Sequence, residues 1–222
     1  MYVLYHHPSC PLSRQIMVTM EYMSLDCEYL QEEYWYRNAK LADISSFATV
    51  PLLKCRKFGV IDGAYPILEF LLSLYPNSHI FPGSLRAISE MRRLLSVINS
   101  EFYYHVSQRI IEEKLLRLLA NRGSPRGDVL RSATSRQVYY LNYFSCVIRD
   151  RNFLLYDKVS VVDIALASHV AMLDYFNYVE WYRYPTLRGW YQVLKSVPCF
   201  RALLKSRFSS IRPPEHYMEL DF

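Results

Sequence analysis

The apolar pattern of this chain changes kind at one place. Before Pro76-Asn77-Ser78, short β-prone runs alternate with helical periods. After Pro82-Gly83 only the helical period remains, as far as residue 208. Tyr2 to His6 is a β-prone run. Ile16, Met17, Met20 and Met23 then recur at helical spacing, after the turn Pro8-Ser9-Cys10-Pro11. Cys27 to Gln31 reads as a second strand and Asn38 to Phe47 as a short helix. Val50 to Cys55 and Phe58 to Ile61 form a hairpin pattern about Arg56-Lys57, and Tyr65 to Tyr75 is an apolar helix. The order β-α-β-α-β-β-α predicts an α/β unit with a mixed sheet.

The second part reads as helices throughout. One long periodic segment runs from Arg86 to Asn121 and stops at Arg122-Gly123-Ser124-Pro125-Arg126-Gly127. Helical patterns follow at 129–149, 161–176, 186–197 and 198–208. The expected layout is an α/β domain over 1–77, a linker over 78–85, an all-α domain over 86–208 and an extended tail over 209–222.

Composition narrows the function classes. The 222 residues are 51% apolar and 21% charged, as in a globular chain. No apolar run reaches the length of a membrane span, and no secretory leader is recognisable. Five scattered Cys without Cys-x-x-Cys, and His residues without ligand spacing, predict a reducing cytoplasm and no metal site. The six Gly form neither nucleotide fingerprint, and His-Glu-x-x-His and Gly-x-Ser-x-Gly are absent. A net charge of +5 is too mild to predict a nucleic-acid partner. Its distribution is uneven. Arg86, Arg92, Arg93, Arg109, Lys114, Arg117, Arg122, Arg126, Arg131 and Arg136 outnumber the acids of the same stretch. That segment is either a solvated helical face or a docking face for an acidic partner.

The last segment has no helical period. Pro213-Pro214 favours an extended chain, and the end reads Tyr217-Met218-Glu219-Leu220-Asp221-Phe222. Aromatic and acidic groups on an extended segment suit a groove or a partner protein. Tyr217, Leu220, Asp221 and Phe222 are therefore expected partner contacts.

Several motifs, in order, resemble those of the glutathione S-transferase superfamily over nearly the whole chain. Thr49-Val50-Pro51-Leu52-Leu53 is similar to its cis-proline motif. Ser160-Val161-Val162-Asp163 resembles its helix capping box. Tyr184-Pro185-Thr186-Leu187, Trp190 and Pro198-Cys199-Phe200 resemble its C-terminal pattern. The resemblance implies a thioredoxin-like α/β domain followed by an all-α domain.

It also implies what a glutathione enzyme needs. Ser9 or Cys10 stands where a hydroxyl or thiol holds the thiolate, beside a helix N-terminus that lowers a thiol pKa. Val50 and Pro51 supply the backbone beside the cysteinyl group. The third requirement departs from the pattern. Gly63 and Ala64 occupy the positions of an acid and a Ser that hold the γ-glutamyl end. Each missing charge-assisted bond is worth about 1.5–3 kcal/mol. The chain end further resembles a family of bacterial division proteins on the transferase fold. That resemblance implies a non-catalytic homodimer, without cofactor, that binds FtsZ filaments at the division site and regulates constriction. Trp35, Tyr36 and Arg37, at the rim of the former substrate cleft, are expected contacts of that kind, since Trp, Tyr and Arg commonly anchor interfaces. The alternative is a working glutathione transferase or thiol transferase using Ser9 or Cys10, with glutathione as its cofactor.

Overall fold

The computed structural model describes every residue except Arg37, Asp150, Tyr156, Ser209 and Ser210. Strand β1 (Tyr2–His6) leads through a tight turn into α1 (Pro11–Tyr22). Pro11 sits in the first turn of that helix, where its missing N–H has no intrahelical role. β2 (Cys27–Gln31) follows. Asn38 then starts α2 (Ala39–Ile44) by accepting from the backbone of Lys40 and Leu41. β3 (Leu52–Cys55) and β4 (Gly59–Asp62) form the hairpin, and α3 (Ala64–Leu74) closes the unit. β3 starts at Leu52 because Pro51 has no N–H for the ladder. The sheet order is β2-β1-β3-β4, with β1 parallel to β2 and antiparallel to β3. The fold is thus a thioredoxin-like mixed sheet joined to a helical domain.

The helical domain opens with α4 (Leu85–Ser96), capped by Ser84. Its axis continues without a break through a π-helical stretch, Val97–Ser107, into α5 (Gln108–Ile111), a second π-helical turn, Glu112–Leu116, and α6 (Arg117–Leu119). The remaining helices are α7 (Gly127–Arg149), α8 (Val161–Tyr175), α9 (Pro185–Ser196) and α10 (Pro198–Leu203). Every residue of α8 is buried, so this helix is the axis of the domain. Asp163 fixes its start. The carboxylate accepts from Ser160 N (3.0 Å), Ser160 Oγ (2.6 Å), Leu154 N (2.9 Å) and Trp190 Nε1 (2.9 Å). The capping box is formed and extended to two distant segments.

One sequence expectation needs correction here: the final helix stops at Leu203 rather than 208. The tail beyond it lies on its own protomer, makes a 3₁₀ turn over Glu215–Met218, and buries Tyr217 completely (0% exposed).

Candidate functional site

The Ser9–Cys10 turn joins β1 to α1 at the cleft between sheet and helices. Ser9 N–H donates to His7 Nδ1 (3.2 Å), which makes that nitrogen an acceptor. The Ser9 hydroxyl therefore also donates to it (2.7 Å) and accepts from the Tyr34 hydroxyl (3.2 Å). Both faces of the Ser9 oxygen are occupied, and the residue is fully buried. Cys10 is 1% exposed, and its thiol contacts the Val50 carbonyl oxygen at 3.8 Å. Burial pushes this thiol upward, against the hydrogen bonds from Ser13 and Leu12 that favour a thiolate. The expected lowering at Cys10 is thus overturned: desolvation outweighs the helix N-terminus.

The backbone beside the turn is arranged as the motif implied. The Val50–Pro51 peptide is cis, and Gly63 N–H donates to the Pro51 carbonyl (3.0 Å). Gly63 adopts φ +91°, where a side chain is strained, so an acid is disfavoured there. Ala64 offers no hydroxyl. The neighbouring Asp62 carboxylate is engaged by the Ser45 hydroxyl. A cavity of about 490 Å³ lies against this corner, walled by Gly63 and Ala64 on one side and by Arg92, Ser96, Asn99 and Ser100 on the other.

A second cavity, of about 300 Å³, lies between Tyr34, Trp35 and Thr49 of the first domain and Tyr103, Gln108, Glu112 and Arg122 of the second. The aromatic segment that forms its wall is tied across the cleft. Arg122 Nη2 donates to the Trp35 carbonyl (2.8 Å), and the Tyr36 hydroxyl donates to the Leu119 carbonyl (3.0 Å). The Trp35 ring packs edge-on to His7 and Tyr34. Trp35 is half-buried and Tyr36 exposed. Arg37 lies outside the described residues. A groove of about 340 Å³ on the outer side of Trp35 is lined by His7, Glu33, Arg207 and Phe208, so the aromatic segment and the root of the tail share one surface.

The tail residues divide. Tyr217 packs edge-on against Tyr175 and is closed to any partner, which corrects its expected role. Phe222 stacks on His216, meets Trp181 edge-on and receives Lys195 Nζ at 4.1 Å from its ring centre. It too serves its own protomer. Leu220 is half-buried, and Asp221 is exposed. The basic stretch is also partly spent internally. Arg92 pairs with Glu69, Arg93 with Glu90, Arg122 with Glu112, and both Arg117 and Arg126 with buried Glu113. Sequence reasoning missed Arg14, a fully buried cation on α1. Nothing in the sequence marks it, because it interrupts no pattern. Among the described residues no group of His, Cys, Asp or Glu is placed to hold a metal ion, and no helix is long and apolar enough to cross a membrane.

No protein-family model matches the chain. A solved glutathione S-transferase from Rhodospirillum rubrum F11 is 33% identical, with a TM-score of 0.93 and 100% of both chains covered. The chain belongs to the glutathione S-transferase family. Another relative of this family member is FzlA from C. crescentus, whose structure matches at a TM-score of 0.93 and 28% identity, over 100% of this chain and 99% of that one. FtsZ-localized protein A from Caulobacter vibrioides is 29% identical over 222 residues, which is 99% of this transferase-family chain and 97% of the relative.

Proposed function

We propose that this transferase-family chain is a non-catalytic adaptor that binds FtsZ filaments and regulates constriction. The observation that carries the reading is the end-to-end similarity to FtsZ-localized protein A, tail included. The site supports it. A glutathione enzyme needs an accessible thiolate-holding group and a γ-glutamyl anchor. Here Ser9 and Cys10 are buried, Ala64 has no donor side chain, and Asp62 is occupied. The contact surface we assign is the Trp35–Tyr36 edge with the groove beside it, together with exposed Asp221. An exposed carboxylate and half-buried aromatic and aliphatic groups suit protein recognition.

We further infer a cytoplasmic homodimer. Exposed Phe58, Val60 and Tyr65 on the sheet side, and Tyr104 and Tyr139 on the helical side, are apolar surface of the kind that pairing covers. The test is cosedimentation with FtsZ polymer alongside calorimetric titration with glutathione. The adaptor pellets with polymer and gives no heat with glutathione below millimolar levels. A sub-millimolar glutathione constant without pelleting would instead establish the transferase reading.

A further inference from the structure

The tail rests on an unusual floor. Beneath it lie two buried cations, Arg14 on α1 and Lys195 on α9, neither in an ion pair with any described residue. The carboxylate on this floor, Asp174, takes its contacts from Trp181 Nε1 (2.7 Å) and His216 Nε2 (2.9 Å) through one oxygen, and its other oxygen has no partner. Lys195 donates to the His216 carbonyl (3.0 Å). Arg14 is the least satisfied. Its Nε donates to the Pro8 carbonyl (2.5 Å), its Nη1 reaches the Tyr217 hydroxyl at 3.4 Å, and its Nη2 has no partner. A buried guanidinium with most of its donors idle is costly, since burial removes its water without replacing it.

We propose that the tail is a releasable strap on its own protomer, and that Arg14 couples its docking to the fixing of the Pro8–Cys10 turn, which holds the Cys10 thiol in its buried pocket against Leu41 and Val50. The sign of the first part follows from solvation. Docking buries Tyr217 and Phe222 favourably, but it also seals Arg14 away from water for one long bond to a neutral hydroxyl. Arg14 therefore weakens the strap relative to an apolar side chain of the same length. The second part follows from connectivity. The same guanidinium that meets the tail holds the carbonyl of Pro8, two residues before Cys10. When Tyr217 leaves, water competes for the guanidinium and the turn loses one of the bonds that fix it. The coupling runs through one side chain and does not depend on which partner the protein binds.

The experiment uses the full chain and two readouts: hydrogen exchange of tail amides over 211–222, and maleimide labelling of Cys10 followed by peptide mass spectrometry. Cys55, buried in β3, is the internal reference for global opening. Tyr217→Phe removes the hydroxyl alone and is expected to speed both tail exchange and Cys10 labelling by about tenfold. Arg14→Met is expected to separate the readouts: tail exchange slows about threefold or more, while Cys10 labelling rises. A simple packing role moves both the same way. Arg14→Gln, neutral and polar, serves if the Met variant does not fold. Tail exchange that speeds up in the neutral Arg14 variants overturns the releasable strap. Unchanged Cys10 labelling in Tyr217→Phe, or labelling matched by Cys55, overturns the coupling.

Discussion

The guanidinium of Arg122 donates to the backbone carbonyl of Trp35, joining the aromatic wall of the first domain to the turn after α6 in the second. The two residues are 87 positions apart, so this bond is a strut across the cleft. Arg122→Ala is expected to free the segment and to cost about 1 kcal/mol of stability. Trp181 and Trp190 are buried and Trp35 is half-buried, so increased acrylamide quenching reports Trp35. Unchanged quenching would mean that ring packing on His7, not the strut, holds the wall.

Asp163 is the hub of the helical domain. Asp163→Ala leaves the amides of Leu154 and Ser160 and the Trp190 indole without their acceptor. The expected loss is about 3–5 kcal/mol, as for other broken buried charge networks. Urea denaturation measures it. A loss below about 1 kcal/mol would show that the carboxylate's own burial cancels its bonds.

Three buried histidines are expected to make the fold acid-sensitive. Burial lowers His6 and His7 to about 4 and His169 to about 3. His169 is held neutral by accepting from Ser107 (2.7 Å) and donating to Asn99 (3.3 Å). Unfolded histidines protonate near 6.5, so below that pH the unfolded state binds more protons. Stability is full above pH 6.5 and falls as pH drops toward about 4, by about 2 kcal/mol per histidine at pH 5. His169→Gln should flatten the dependence of unfolding free energy on pH between 6.5 and 4. An unchanged slope would place the sensitivity elsewhere.

The tail is expected to be structural as well as exposed to partners. Deleting 213–222 removes Tyr217 from the core and Phe222 from Lys195. The expected cost is about 3 kcal/mol, or roughly 6–12 °C in melting temperature for a chain of this size. Asp221→Lys leaves the melting temperature unchanged, because that side chain is exposed, yet it should weaken cosedimentation with FtsZ about tenfold. Normal pelleting of Asp221→Lys would remove the tail from the binding surface.

Strand and helix positions were legible because their periods are strong. The β1 and β2 runs match the sequence reading residue for residue, and the cis proline and capping box stand where the motifs put them. The state of Cys10 was not legible. A thiol at a helix N-terminus reads as activated, and only the packing of Leu41, Val50 and Tyr34 around it shows that it is desolvated. The tail misled for a related reason. Its Pro pair predicts an extended exit correctly, but an aromatic end suits a groove on its own protomer as well as one on another protein. The complementary groove is built from Arg14, Tyr175 and Tyr191, which are distant in sequence.

The wide turns of Val97–Ser107 bear on how such a chain tolerates length change during evolution. A π turn takes up an extra residue locally, because its turn is wider than that of an α-helix. Deleting a residue from a regular α-helix rotates everything beyond it by about 100°, whereas a deletion within a wide turn is taken up by a return to ordinary winding. Ser107 then keeps its side toward His169, and Glu113 its side toward Arg126. A one-codon deletion on this stretch is therefore a milder change than the same deletion in the middle of α7, where no wide turn is present to absorb it.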